Sequence, residues 1–358
     1  MKKNNNIKIA AALSAAFLTG AFAFGCGANG NSAQSAVSSA VSSGIESVTS
    51  QVSSAVSSAL NGGTSAADSS AASTVSPNSE LYSNRDLAQT ADTSDAKTIT
   101  LESGKNTDIT AEGVYVIKGN VTETTINVSA PDTAKVQLVL DGVSITNNSA
   151  PAIVVKSADK VFITTTASEN TITVNGAIPE SGSEDYDAAI YSKSHLTLNG
   201  TGTLNVISKG EDAISGKDDL IVTGGTYVID TADKALEAND NLAFCGGTFT
   251  ISAKEAMEGT NVVFDGGSFD IKAADDGINA SQNTTGIPVA VTINSGTINI
   301  AMAAGDTDAI ASNGDLIING GTVNITAQSA FDFDGKAELN GGTVTVNGSA
   351  VTSITKSR

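Results

Sequence analysis

From residue 187 to the C-terminus, apolar and polar residues alternate with period two, and the alternation recurs in copies of about twenty-two residues. Each copy is split by a glycine doublet: LIVTGGTYVI (220–229), LAFCGGTFTI (242–251), VVFDGGSFDI (262–271), VTINSGTINI (291–300), LIINGGTVNI (316–325) and AELNGGTVTV (337–346). A degenerate copy, LTLNGTGTLNV, precedes them at 196–206. Period two means strands. Before the doublet, Leu220, Val222, Leu242, Phe244, Val262, Phe264, Leu316 and Ile318 share one face. After it, Tyr227, Phe249, Phe269, Ile298, Val323 and Val344 open a second inward series, continued by Ile229, Ile251, Ile271, Ile300, Ile325 and Val346. The glycines between the two strands supply a bend that Cβ-bearing residues resist. A third short stretch reads AIS (213–215), ALE (235–237), AME (256–258), GIN (277–279) and AIA (309–311). Three short strands per unit, stacking like on like at about 4.8 Å, predict an all-β fold: a single-stranded parallel β-helix. A helical reading fails because glycine and β-branched residues dominate the unit.

Outward positions carry a second message. Just before the doublet, Thr223, Cys245, Asp265, Asn294, Asn319 and Asn340 fall in register, and the position after it is always Thr or Ser. Such columns predict polar ladders whose side chains hydrogen-bond along the solenoid axis. Cys245 reads as a small structural residue of that column.

The N-terminal quarter has a different pattern. Lys2, Lys3 and Lys8 precede an apolar, Ala-rich run from Ile9 to Phe24, the layout of a signal peptide over residues 1–25. The run ends in Ala23-Phe24-Gly25-Cys26, similar to a bacterial lipobox, so Cys26 is the expected lipidation site and membrane lipid an expected partner. Residues 26–96 are rich in Ser, Ala and Asn and read as a tether. Within them Val37, Val41, Ile45, Val48, Val52, Val56 and Leu60 form a narrow stripe at helical spacing, which fits either a fraying helix or a weak self-association stalk. Residues 97–358 form the β-helix domain. The expected location is the extracellular face of a bacterial cell membrane.

Charge then narrows the partners. The net charge of −19 excludes nucleic acid. The two arginines, Arg85 and Arg358, lie in the tether and at the terminus, so a polyanionic ligand needs a cation as intermediary rather than guanidinium pairs. With no Trp and 5 Tyr, an aromatic platform for planar glycans is poorly supplied; Tyr186 and Tyr191, beside the acidic loop SGSEDYD (181–187), are the candidates.

The acids themselves are concentrated at one corner. Two columns before the third strand read Glu211-Asp212, Asp233-Lys234, Lys254-Glu255, Asp275-Asp276 and Thr307-Asp308; a third reads Ser215, Glu237, Glu258, Asn279 and Ala311. Carboxylates stacked at the rung spacing repel unless a cation sits among them. Calcium takes oxygen ligands at about 2.3–2.6 Å and can bridge adjacent rungs. The expected clusters are Glu211, Asp212, Asp233 and Glu237, then Glu255, Glu258, Asp275 and Asp276. The competing expectation is that Lys234 and Lys254 neutralise these acids as a solvated salt-bridge ladder. Zinc is disfavoured, since His195 is the only histidine and the thiols are unpaired.

DAAIYSKSHLTLNGTGTL (187–204), GKDDLIVTGGT (216–226), ADDGINAS (274–281), AIASNGDLIINGGTV (309–323), FDFDGKAELNGGT (331–343) and, upstream, KVQLVLDGVSITNNSAPAIVVKSADKVFIT (135–164) resemble a family of bacterial surface carbohydrate-binding domains. The resemblance covers roughly residues 97–348. It implies a right-handed parallel β-helix, similar in fold to family 9 pectate lyases, that binds calcium and acidic or cellulosic plant polysaccharide without cleaving it. Asp276-Gly277-Ile278 keeps the family's usual turn; Lys234-Ala235-Leu236 and Glu255-Ala256-Met257 depart from it.

Three functions are compatible with these residues. The first is non-catalytic capture of polysaccharide, plausibly pectic, through bound calcium. The second is a calcium-dependent lyase acting by β-elimination, with Lys234 or Lys254 as base, a role that neighbouring carboxylates handicap by raising the lysine pKa. The third is a structural adhesin or stalk, for which a solenoid suffices.

Overall fold

In the computed structural model, residues 80–179, 186–305 and 307–357 are described. The signal segment, Cys26, the stripe at 37–60 and residues 180–185 lie outside them. The described chain is a parallel β-solenoid, with helix confined to one short turn. Strands before and after each glycine doublet belong to a twenty-stranded sheet, and the third strands stack into a separate ten-stranded sheet.

The bend between the first two strands is why the glycines recur. The second glycine of each doublet is left-handed, with φ of 92° at Gly225, 95° at Gly247 and 98° at Gly267. A Cβ on Gly247 would stand 2.9 Å from the Phe249 ring, and one on Gly246 would stand 2.7 Å from the Thr223 carbonyl oxygen of the coil below. The first glycine therefore permits close stacking and the second permits the turn.

Register follows the sequence alignment. Leu220, Leu242, Val262, Val291 and Leu316 pair in succession, as do Tyr227, Phe249, Phe269, Ile298 and Val323. Phe249 and Phe269 are buried, while Thr248 faces solvent. Inside, Tyr227, Phe249 and Phe269 stack at 4.9 and 4.8 Å between centroids, and Phe244 stacks on Phe264 at 5.0 Å. Rung spacing and ring-stacking distance coincide, so identical residues in one column pack without a void. The polar ladder forms as well: Asn340 donates to Asn319, Asn319 to Asn294 and Asn294 to Asp265, at 2.9, 2.8 and 2.7 Å.

The C-terminal end is closed by a change of direction. Ser349–Val351 pairs antiparallel with Thr343–Val346, and the Ser357 hydroxyl accepts hydrogen bonds from the Ala330 and Phe331 amides. An edge that would otherwise template another chain is thereby partly covered.

One segment departs from the sequence expectation. Residues 80–96 belong, on composition, to the tether, yet they pack on the outer face of the strands preceding the doublets. A one-turn helix, α1 (Asn84–Leu87), is closed by a Ser83–Asp86 capping box. Asp86 has no exposed surface; it accepts from Thr197 at 2.5 Å and pairs with Lys160 at 2.7 Å. Burial opposes its charge, but the bonds from Lys160, Ser83 and Thr197 hold its pKa below the usual value. Tyr82 enters a small apolar cluster with Ile221, Ala243 and Val263, Arg85 lies 4.5 Å over the Phe162 ring, and Gln89 donates to Thr223. The packed domain thus includes residues 80–96. Composition conceals this because the strap is held mainly by hydrogen bonds and one ion pair, with Tyr82 as its main apolar anchor.

Candidate functional site

The acidic corner lies where each coil turns into its third strand. The register there is the one the alignment predicts: Ser215 pairs with Glu237, Glu237 with Glu258, and Glu258 with Asn279, while Lys234 pairs with Glu255. Carboxylates in one column are therefore one rung apart. Two such charges repel by about 3–4 kcal/mol at an effective dielectric near 20, so the corner must neutralise or protonate them.

In the first stretch, lysines do the neutralising. Lys217 Nζ donates to Asp187 Oδ2 and Glu237 Oε2, both at 2.7 Å. Lys234 Nζ donates to Glu237 Oε1 at 2.9 Å and pairs with Glu258 Oε2 at 2.7 Å. The Ser215 hydroxyl completes the Glu237 shell at 2.6 Å. Burial opposes ionisation of Glu237, but these partners hold its pKa down to about 2. Burial likewise opposes the charge on Lys234, and its bonds to Glu258 and Glu237 carry its pKa well above the usual lysine value. Asp212 has the opposite fate. It is buried and accepts only from the Lys234 amide among these groups, at 2.9 Å, and its pKa rises to about 8, chiefly by burial with repulsion from Glu237 and Asp187 added.

In the second stretch Lys234 reaches Glu258, but among the described residues no lysine is hydrogen-bonded to Glu255 or Asp276. Burial, reinforced by repulsion from Glu258, pushes Glu255 up to about 7 against a hydrogen bond from Asn279. Its Oε1 is buried without any hydrogen-bond partner. One coil on, burial with repulsion from Asp275 and Asp308 pushes Asp276 up to about 6, although the Asp308 amide donates to it at 3.4 Å. The Thr307 hydroxyl is also buried without a partner among the described residues.

The eight candidate residues thus divide. Glu237 and Glu258 are joined through Lys234. Asp212 stands beside Glu237 as an acid that keeps its proton near neutral pH. Asp233 is drawn to Lys254 at 3.2 Å on the surface. Glu211 uses its main-chain carbonyl to accept from Thr231 at 2.7 Å. Glu255 and Asp276 form the lysine-free pair, and Asp275 lies exposed beside them. Sequence reasoning missed Asp187 and Lys217, and read Asp308 in the acidic column without assigning it to a cluster. Asp187 heads the same Ala-Ile strand pattern as Asp212 one coil earlier, a signal that was present in the repeat.

Two groups of acids or histidine converge to within 4.8 Å among the described residues: Asp187, Asp212 and Glu237, and His195, Asp218 and Asp219. The second is an ion-pair cluster: His195 Nδ1 lies 3.2 Å from Asp219 and 3.3 Å from Asp218, and the Asp219 hydrogen bond raises the imidazole pKa. The first is tight, but Lys217 sits on two of its three acids. Tyr191 is buried, with Tyr186 edge-on at 5.2 Å and Lys217 5.8 Å over its ring, so it packs the corner and offers no open face for a sugar.

Three similarities to known proteins accompany this geometry. Residues 103–352 match the family described as carbohydrate-binding domain-containing protein. A carbohydrate-binding domain-containing protein of Acetivibrio thermocellus is 31% identical over 156 residues, 43% of this chain and 53% of the relative. The chain thus spans about half the length of the curated relative it matches. A polysaccharide lyase-like protein from C. thermocellum, solved as a gadolinium derivative, aligns over 70% of this chain and 94% of its own at 27% identity, with a TM-score of 0.47.

Proposed function

Because this chain belongs to the family of carbohydrate-binding domain-containing proteins, we propose that it captures acidic polysaccharide at a cell surface through calcium held at the acidic corner. The observation that carries this reading is the lysine-free stretch. Glu255 and Asp276 are acids with raised pKa, and the Glu255 Oε1 and Thr307 hydroxyl are buried without partners. An all-oxygen donor set of this kind suits a hard divalent cation and not zinc. Glu255 and Asp276, with Asp308 and Thr307 beside them, would hold the ion; Asp187 and Glu237 would not, since the Lys217 ammonium already serves both, which leaves Asp212 as a single acid without an ammonium beside them. Bound calcium supplies positive charge and open coordination positions for sugar carboxylates and hydroxyls in a protein whose net charge of −19 repels polyuronates.

Capture without cleavage is favoured by the state of the two candidate bases. Hydrogen bonds to carboxylates raise the pKa of both Lys234 and Lys254, so neither is poised to take a proton from a sugar. The solenoid winds right-handed, the sense that nearly all parallel crossovers take. Cys26 carries the lipid that tethers it to the outer face of the membrane, with residues 27–79 as spacer; Cys26→Ala should move the protein from the membrane fraction to the soluble one.

The deciding experiment is binding to polygalacturonate with calcium and with excess chelator, while unsaturated-product absorbance is followed. Binding that calcium strengthens, with no absorbance gain and with Glu255→Gln losing the calcium response, is the expected result. Unsaturated product abolished by Lys234→Ala or Lys254→Ala would install the lyase in its place.

A further inference from the structure

Among the described residues, nothing packs over the outer face formed by Thr248–Ala253, Ser268–Ala273, Thr297–Met302 and Thr322–Thr326. That face holds a groove of about 570 Å³, a size typical of small-molecule and oligomer sites. Two outward columns shape it. One runs Thr250, Asp270, Asn299, Asn324 and the other Ser252, Lys272, Ala301, Thr326. In the first, the amides are linked head to tail: Thr345 donates to Asn324, Asn324 to Asn299 and Asn299 to Asp270, at 2.8, 2.9 and 2.7 Å. In the second, every residue except Lys272 is small, which creates the depression. A shallower continuation passes Ala273, Met302 and Ala303 on the side where the chain turns into the acidic corner.

Lys272, like Lys97 and Lys156, has no carboxylate partner among the described residues, and it is the lysine that lines this groove. Lys118, Lys160, Lys209, Lys217, Lys234 and Lys254 are each bound to a carboxylate. The exposed Lys272 ammonium makes no ion pair and no side-chain hydrogen bond with the described residues, although the chain is strongly acidic and Asp275 is three residues away. Each ladder amide spends one N–H and one lone pair on its neighbours, leaving another of each for a ligand. The groove therefore offers hydroxyl partners at every rung along the solenoid axis and one free cation beside them. It offers no apolar pocket for a side chain, and a sheet face cannot extend its ladder with a peptide strand.

We propose that this groove is a second glycan subsite, one that takes a uronate-bearing polysaccharide without metal. The chain lies along the axis, its hydroxyls on Asn299, Asn324 and Thr250, with one sugar carboxylate on Lys272. This rests on the carbohydrate-binding reading but not on calcium, so the two are separable.

The test is calorimetric titration of the purified full chain with oligogalacturonate in excess chelator. Expected is measurable residual binding, weakened about tenfold by Lys272→Ala, largely kept by Lys272→Arg, reduced by Asn299→Ala and untouched by Glu255→Gln. Carboxyl-reduced oligomer should bind more weakly to the parent protein and equally to Lys272→Ala. Unchanged thermal midpoints of the Lys272 variants verify folding, since this exposed side chain holds nothing in place. If chelation abolishes all binding and calcium restores it, the groove proposal is overturned while the calcium reading stands. If residual binding ignores Lys272→Ala, the groove is likewise not the site. If no acidic or neutral glycan binds with or without calcium, both fall.

Discussion

Two neighbouring stretches of the acidic corner solve the same electrostatic problem in different ways. Around Glu237, two lysines alternate with three carboxylates, and Glu237 is ionised with a pKa of about 2. Around Glu255 and Asp276 no ammonium intervenes, and the acids rise to about 7 and 6. The backbone register is the same in both. What differs is chiefly one column, which reads Lys234, then Glu255, then Asp276, and the position after the third strand, which reads Lys217, then Asn239, then Thr260. That column, together with Lys217 after the third strand, decides whether a rung is neutralised from within or left to a proton or an external cation. The charge state of the corner is thus written rung by rung, not by the fold.

The comparison can be broken first at Asp212, the one acid of the lysine-bridged stretch that lysine does not rescue. Its folded pKa, about 8, lies above the ordinary carboxyl value. The folded state therefore keeps a proton that the unfolded chain has released. The associated stability is complete below about pH 4 and drains as pH rises through 8, a change on the order of 3–5 kcal/mol. Glu237 runs the other way: its contribution is complete above the ordinary Glu value and is lost only as pH falls toward 2. Calorimetry in chelator should show the unfolding midpoint falling between pH 5 and 8.5, and Asp212→Asn should flatten that fall. A midpoint that rises over this range would refute the assignment.

The next effect is that of the bridging cation. Lys234→Met leaves Glu237 short of one partner and Glu258 without its ammonium, in a part of the corner where both are largely buried. A loss of about 2–4 kcal/mol in urea unfolding is expected. Lys254→Met, by contrast, removes only the surface pair with Asp233 and should cost less than about 0.5 kcal/mol. Equal losses for the two lysines would erase the distinction between an embedded bridge and a solvated one.

The remaining effect is that of calcium itself. At a hundredfold excess over its dissociation constant, an ion held at Glu255 and Asp276 should stabilise the protein by about 2–3 kcal/mol. Glu255→Gln should remove that gain, and Glu237→Gln should leave it intact. Thermal melts of the three proteins, each with calcium and with chelator, check this. Retention of the calcium response in Glu255→Gln would move the ion elsewhere.

Much of this was legible in the repeat. The glycine doublets, the inward columns and the ladder Asp265–Asn294–Asn319–Asn340 all stand in register in the structure as they do in the repeat. The reason is that a parallel solenoid has one rung spacing, so a residue's neighbour along the axis is its counterpart one repeat away. The third-strand column Ser215, Glu237, Glu258, Asn279 was readable on the same ground.

Relations that cross columns were not. That Lys217 reaches both Asp187 and Glu237, and Lys234 both Glu237 and Glu258, depends on side-chain direction and burial, which periodicity does not encode. The same holds for the strap. Nothing in the composition of residues 80–96 marks Asp86 as a fully buried carboxylate, because its partners, Lys160 and Thr197, lie far away in sequence and belong to different coils. The sequence by itself determined the all-β class, the three-strand coil, its inward faces and the single corner on which the acids collect, since each follows from repetition at fixed spacing. Which acids are ionised, which keep a proton, and which face the strap covers were decided only by tertiary structure, because desolvation and charge pairing depend on distances between residues that no repeat relates.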